Sequence, residues 1–506
     1  MAWSTDDLPD LTRWRQGKCL PYGEGITYWA LGEVVKAEAG ILETDTPGTA
    51  LGKLGVSLEP LLGDAGERAW VAGRLAPLVG SDQETTADKT ERFAAWSRYL
   101  AALGEQRPTV IVIDTIAKDF NASQSEYTLT PIYKGGYEET MTAGIAAFRA
   151  GEAPNIIQIF DAGSATIINA KGAVYPVASL LNENGVPFHA EDYISGVRNF
   201  YADSKGDMIG MPFNSSTPVL YYNKDALAKA GVQPPKTWEE FEEIAPKLKK
   251  AGYIALSQSH TPWIFSENFH SRHNIPLANE NNGFDGVATK INYNNEHMRM
   301  HFSKAREWQE AGLFGYYGSK WGDNQKPFID QEVAMWLGSS GSFGGLKSAA
   351  KFNFGTTNLP YWNSITKGEE YTTFIGGAAL FAFSGKEKAR NEGVAKFFQF
   401  LTKPETQFFW HKETGYVPIT NAAYTLAKES GYYKDEPDAE VGIQQLNQKA
   451  ADNNKGYRLG YYVQIREVMT REYDQVFAGT KSVDDAFAAI EDGANKLLAR
   501  FAKTVQ

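Results

Sequence analysis

From about residue 125 onward, short runs rich in β-branched and aromatic residues alternate with runs carrying helix start and stop signals. That alternation restricts the chain to α/β domains with largely parallel sheets. "YTLTPIY" (127–133), "PNIIQIF" (154–160) and "PVLYYN" (218–223) read as strands, and "YEETMTAGIAAFRAG" (137–151) and "KDALAKAG" (224–231) as helices. In "TWEEFEEIAPKLKKAG" (237–252), Thr237 and Glu240 have capping-box spacing, and Gly252 suits a left-handed helix exit. The last helical run places Phe487, Ile490, Ala494, Leu497 and Phe501 along one face.

The first 107 residues have a different texture. "LPYGEGITYWALGEVVKAEAG" gives a turn and then a helix, and "ERFAAWSRYLAALGEQRP" puts Phe93, Trp96, Leu100 and Leu103 on one stripe. Between these regions lies "RPTVIVIDTIAKDFNASQ" (107–124), which has two readings. From its left end it is a strand delivering Asp114 to a magnesium ion. From its right end, Ile113, Ile116, Ala117 and Phe120 recur at the period of an amphipathic helix.

Few kinds of chemistry find support. A P-loop needs Gly directly before Lys-Ser/Thr, but in "GSFGGLKS" (341–348) Leu346 separates Gly345 from Lys347. The surrounding "EVAMWLGSSGSFGGLKSAAK" reads as strand, Ser/Gly-rich turn and helix start, which suits either an anion at a helix N-terminus or a plain surface loop. His297 and His301 are spaced i, i+4 without the Glu of a zinc-protease motif, so a solvated helix face is expected, and His270 and His273 are read the same way. No G-x-S-x-G elbow occurs. The single cysteine, Cys19, rules out an intramolecular disulfide and a cysteine-built zinc site.

A formal charge of −11 argues against non-specific nucleic-acid binding but not against a small anion in a pocket lined by Arg and backbone N–H groups. Aromatic residues make up 13% of the chain, enough to line a polyol-like site. No run approaches the roughly 18 apolar residues of a membrane span. The opening "MAWSTDDLPD" lacks the basic and apolar regions of a secretory signal. A two-lobed binding protein needs a cleft, a few polar anchors and a hinge, with no nucleophile, metal or cofactor.

Several stretches in order, "YKGGYEETMTAGIAAFRAGEAP", "PFNSSTPVLYYNKDAL", "PPKTWEEF", "NNGFDG", "SSGS", "FIGGAAL" and "TGYVPIT", resemble the glycerol-3-phosphate-binding group of the maltose-binding-like extracellular solute-binding family. The resemblance covers residues 112–506. It implies an α/β, two-lobed periplasmic-binding-protein fold of type II, preceded by a mostly helical fragment. Lobe 1 would take 112–217 and about 360–400, and lobe 2 would take 218–359 and about 401–506. The chain would cross between lobes near Thr217, near Leu359 and in the helix around Phe397.

The family's ligand positions fall on Tyr137, Asp161, Ser216 and Gly377 on the first-lobe side, and on Ser339, Tyr416 and Arg466 on the second. Arg466 suits paired hydrogen bonds to a phosphate, while an acid and a Tyr suit glycerol hydroxyls. Two positions depart from the family. Asp161 replaces a Glu, and His260 stands where a cleft Trp is usual, with Trp263 retained beside it. The implied function is a non-enzymatic, monomeric, periplasmic component of an ABC importer. It would carry sn-glycerol-3-phosphate, a glycerophosphodiester or another polyol phosphate to the membrane permease.

Residues 1–111 resemble an internal piece of the AAA-type ATPase module of bacterial adenylate-cyclase and transcriptional-regulator proteins, without its P-loop. That resemblance raises the alternatives of a nucleotide-dependent regulator with a solute-sensing domain, or a fusion with no joint function. The two resemblances overlap at Val112 and Ile113, which makes Asp114 a helix residue. The binding-protein family places a strand before this helix. Residues 109–113 are therefore expected either to fill that strand's slot or to leave a gap that weakens closure on ligand.

Overall fold

The computed structural model describes residues 35–36, 39, 41, 45–59, 61–62, 64–79, 91–92, 94–96, 98–99 and 109–505, without 171, 204 and 320 and without the side chains of 109–113. The chain divides into two compact units, Met1–Asp114 with Pro131–Glu139, and Thr115–Thr130 with Thr140–Gln506.

In the first unit, α1 (Pro47–Leu58) starts at a Thr46 cap followed by Pro at its first position, and α2 (Ala65–Leu75) starts at an Asp64 cap. Their apolar faces bury Leu54, Leu58, Val71 and Leu75 together with Trp96 and Tyr99. Trp96 Nε1 donates to the Arg74 carbonyl at 3.0 Å. Phe93, Leu100 and Leu103 lie outside the described residues, as does most of "LPYGEGITYWALGEVVKAEAG".

The 107–124 question resolves as a helix, α3 (Thr109–Ser123), with Ile116, Ala117 and Phe120 buried and Asp114 exposed. Asp114 is therefore not a carboxylate at a strand end. Phe120 packs edge-on against Phe397, at 5.4 Å between ring centroids.

The larger unit is two-lobed, with a sheet in each lobe. One sheet contains β1 (Ile156–Phe160), β2 (Val174–Tyr175) and β3 (Met211–Ser216), and the other contains β4 (Pro218–Asn223), β5 (Ile254–Gln258), β6 (Phe314–Gly315), β7 (Val333–Ser339) and β8 (Phe354–Asn358). The chain then returns to the first sheet as β9 (Gly376–Phe383), antiparallel to β1, β2 and β3 alike. In the second sheet, β5 is parallel to β6 and β7, while β4 runs antiparallel to β7 and β8. The expectation of largely parallel sheets is thus corrected. Strands that re-enter a sheet from the opposite lobe arrive in the reverse direction.

Residues 127–133, expected as a strand, form none. Strand structure needs a neighbouring ladder, and none is supplied here: Asn121 Nδ2 and Oδ1 bond the Leu129 carbonyl and N–H at 2.9 and 2.7 Å instead. Residues 109–113 are helical and fill no strand slot. Phe383 N donates to the Asn155 carbonyl, which sets the alternation of the β1–β9 ladder. The backbone groups of Ile156 and Gln158 consequently face the outer edge of β1, where no strand lies among the described residues.

The crossings are held by one side chain. Gln445 Nε2 donates to Thr217 Oγ1 at 2.9 Å and to the Pro218 carbonyl at 2.7 Å, while its Oε1 accepts from Leu359 N at 2.7 Å. Two connections between the lobes are tied at a buried amide.

Three of the four histidines read as solvated are in the core. His270, His273 and His301 are buried, and only His297 is half-exposed. Periodicity treats His as polar, but a neutral imidazole packs as an aromatic ring, and His301 stacks on Phe269 at 4.8 Å. His301 Nδ1 accepts from Trp362 Nε1 at 3.2 Å, and His273 Nε2 accepts from Trp362 N at 2.8 Å, so both must stay neutral.

Burial lowers five of the seven histidines: His260 and His301 to about 3, His270 and His411 to about 4, and His273 well below its usual value. In the unfolded chain they protonate near pH 6.5. Their stabilisation is complete above that pH and is lost as pH falls toward the folded values, by up to about 1.4 kcal/mol per pH unit for each. Calorimetry should show a melting temperature that is flat from pH 8 to 7 and falls clearly between pH 6 and 5. An unchanged melting temperature down to pH 5 contradicts this account.

Candidate functional site

Strand β1 ends at Phe160, and the chain turns at once into a short 3-10 helix, which leaves Asp161 buried at the strand end. Opposite it, α4 (Tyr462–Phe477) carries Arg466 on its buried face, one turn in from Tyr461, which enters the helix with a φ of 51°. The guanidinium meets two carboxylates. Its Nη2 pairs with Asp161 Oδ2 and lies 2.7 Å from Glu267 Oε2, and its Nε donates to Glu267 Oε1 at 2.7 Å. Glu267 comes from the π-helical turn Pro262–Glu267 and is fully buried.

Tyr457 completes the cluster. Its hydroxyl lies 3.1 Å from Asp161 Oδ2, from Glu267 Oε2 and from Arg466 Nη2. One phenolic hydrogen cannot serve two carboxylates at once, so the arrangement is best satisfied when one acid carries a proton. Burial pushes Glu267 above the ordinary carboxylate range, although Arg466 opposes this. Burial works against the charge on Arg466, but Asp161 and Glu267 outweigh it and hold the guanidinium well above its usual pKa. Among the described residues, Arg466 Nη1 donates no hydrogen bond to protein and Asp161 Oδ1 accepts none.

Four of the remaining expected positions, Ser216, Gly377, Ser339 and Tyr416, are linked to one another by short contacts in the larger unit. Ser216 is buried at the end of β3, in register with Gly376, while Ser215 faces Gly377. Gly377 has a φ of 97°, and a Cβ there would lie 1.8 Å from the Asn214 carbonyl oxygen, so no other residue fits without displacing the strand. Trp263 lies against Gly376, where an added Cβ would come within 2.4 Å of its ring. Val417 N donates to the Ser215 carbonyl at 2.9 Å, which brings the Tyr416 segment alongside.

Tyr416 follows Gly415, whose φ is 87°, and stacks on Trp410 at 5.6 Å and 7°. Gly341 leaves room for the Tyr416 ring, since a Cβ there would stand 2.6 Å from it. Ser339, at the end of β7, accepts from Gly341 N at 3.1 Å and so joins the same group. Tyr137 opens the helix Tyr137–Arg149, is partly exposed and belongs to the smaller compact unit.

His260 has a φ of 52° and accepts from Trp263 N at 3.3 Å through Nδ1. Burial, reinforced by Arg466, brings it down to about 3, so it is a neutral acceptor here and adds no cation. Ser215 Oγ, Gln258 Oε1 and Trp263 Nε1 are buried and have no hydrogen-bond partner among the described residues. A lined site with unsatisfied donors and acceptors is what a polar ligand requires.

Sequence reasoning missed Glu267 and Tyr457. A lone acid in the apolar run "PWIFSENF" was a usable signal for Glu267. Tyr457 in "KGYRLG" offered none, because its role arises from partners far away in the chain.

A family model for bacterial extracellular solute-binding proteins matches residues 115–441. The sn-glycerol-3-phosphate-binding periplasmic protein UgpB of Escherichia coli strain K12 is 41% identical over 438 residues, 85% of this chain and 96% of that protein. Its counterpart in Salmonella typhimurium is 41% identical over 414 residues, 81% of this chain and 92% of that protein. The crystal structure of UgpB from Mycobacterium tuberculosis in complex with glycerophosphocholine superposes with a TM-score of 0.66 at 20% identity, covering 78% of this chain and 96% of that one. The sugar-binding protein MalE from Xanthomonas citri gives 0.62 at 17% identity, with 78% and 95% coverage.

Because Gly377 combines a left-handed backbone with a blocked Cβ position, Gly377→Ala should cost roughly 2–4 kcal/mol. Urea unfolding measures it, and a loss below about 1 kcal/mol, close to that of an ordinary surface change, contradicts this packing.

Proposed function

The chain belongs to the bacterial extracellular solute-binding protein family, and we propose that it binds sn-glycerol-3-phosphate or a related glycerophosphodiester or polyol phosphate between its lobes. It would deliver that ligand, as a periplasmic monomer, to the membrane subunits of an ABC importer. Solute-binding proteins of such importers bind and do not catalyse. The observation that carries the proposal is the pair of unpartnered atoms from opposite lobes, Arg466 Nη1 and Asp161 Oδ1. An anionic oxygen suits the first and a ligand hydroxyl the second. Only a closed cleft offers both to one small molecule, so ligand favours closure by its differential contacts.

Ser339, Tyr416, Ser216 and Gly377 would line the cleft around the ligand. His260 and Trp263 would form a wall. Trp263 Nε1, buried and unpartnered, supplies a further donor.

The charge balance bears on which phosphate is preferred. With one of the two acids protonated, the other already balances the Arg466 guanidinium, and His260 is neutral, so a dianionic monoester enters with no unpaired cation to meet it. A singly charged diester avoids part of that cost. Isothermal titration of the full chain should therefore give heat with both glycerol-3-phosphate and glycerophosphocholine, with the diester tighter at pH 7.5. No heat with either overturns the ligand assignment.

Arg466→Ala should weaken binding at least a hundredfold, about 2.7 kcal/mol, because the anion loses its cation and two buried acids lose theirs. Unchanged affinity rejects the role given to Arg466. A nucleotide-dependent role for residues 1–111, the alternative raised by their resemblance, requires ATP hydrolysis by the full chain. A rate no greater than that of buffer removes it.

A further inference from the structure

We infer that Tyr457 sets the length of polyol that this site accepts, an inference that rests on the polyol-phosphate reading above. Four carboxylate oxygens face the Arg466 guanidinium. Glu267 Oε1 is taken by Arg466 Nε, while Glu267 Oε2 and Asp161 Oδ2 each carry Arg466 Nη2 and the Tyr457 hydroxyl. Only Asp161 Oδ1 is left for a ligand hydroxyl. The phenolic oxygen stands where the two acids converge, the position that a second hydroxyl of a longer polyol would need. Tyr457 acts as a built-in hydroxyl that closes this end of the site.

The phenol is not free to move aside. Its ring packs edge-on against Phe200 at 5.2 Å and Phe374 at 5.8 Å, and lies 4.7 Å from the Tyr462 ring. The next residue anchors the backbone. Arg458 is buried and donates to the carbonyls of Asn199 at 2.8 Å, Ala202 at 3.1 Å and Tyr457 itself at 2.9 Å. Gly283 lets that backbone approach, since a Cβ there would come within 2.1 Å of the Arg458 carbonyl oxygen. Burial holds the Tyr457 hydroxyl well above the usual phenol pKa, so it stays a donor at physiological pH.

The geometry also relates Tyr457 to the short acid at position 161. Asp161 Oδ2 is engaged by both Arg466 and the phenol, so the hydroxyl helps fix the carboxylate that offers its other oxygen to ligand. Removing the hydroxyl frees an acceptor position at Asp161 and Glu267. Removing the ring opens volume next to it.

Titration of the full chain with glycerol-3-phosphate and with sorbitol-6-phosphate tests this, for the natural protein, Tyr457→Phe and Tyr457→Leu. The natural protein should prefer the three-carbon ligand. The ratio of the two dissociation constants should move toward the six-carbon ligand at least threefold in Tyr457→Phe and at least tenfold in Tyr457→Leu. A structural role alone would weaken both ligands together and leave the ratio unchanged, and that result overturns the inference. If Tyr457→Leu does not fold, as judged by near-ultraviolet circular dichroism, Tyr457→Phe decides alone by the same criterion. If the natural protein gives no heat with any phosphorylated polyol or diester, the function proposed above fails, and this inference fails with it.

Discussion

The larger unit depends on a chain that leaves one sheet, builds another and comes back, and on the amide that holds those passages together. Gln445 uses both its nitrogen and its oxygen, bonding Thr217 and Pro218 on one crossing and Leu359 on the other. A buried amide with every bond satisfied is directional in a way that apolar packing is not. Ser340 reinforces the first crossing, accepting from Thr217 N at 3.2 Å and donating its own N–H to the Thr217 carbonyl. Ser216 and Ser339 sit at the ends of strands next to these passages.

The end of β1 brings the Asp161 carboxylate against the Arg466 guanidinium on α4, with water largely excluded. A buried ion pair gains little net stability over apolar packing, but losing one partner is costly. Asp161, Glu267 and Tyr457 together satisfy most of the donors of Arg466, and what remains unsatisfied is small and specific. The arrangement can therefore be closed and still selective, since a ligand need match only the few atoms that the protein leaves unbonded.

Local chemistry was legible wherever it decides local structure. Thr237 and Glu240 form the reciprocal capping box their spacing implies, Gly231 ends its helix at a φ of 67°, and "PVLYYN" is a strand over its full length. Legibility ended where a distant partner decides. "YTLTPIY" has strand composition but no ladder to join, and "TVIVI", which reads as a strand at its left end, continues a helix instead. His270, His273 and His301 occupy positions that a polarity pattern assigns to solvent, yet each is enclosed by rings or backbone acceptors. Asp161 and Arg466 were named through resemblance, and the geometry adds Tyr457, which bonds both, and Glu267, which bonds Arg466.

The return of β9 has a consequence for the order in which the molecule assembles. Every strand of the second sheet is available once Asn358 has been synthesised, and its longest pairings close within that stretch. The first sheet has no internal ladder without β9: Ile156 waits for Ala382, and Met211 waits for Leu380. Loop closure of that span is slow and leaves apolar strands unpaired in the meantime. The second sheet can thus form before the first, and the strand that ends at Asp161 gains its ladder only when β9 arrives.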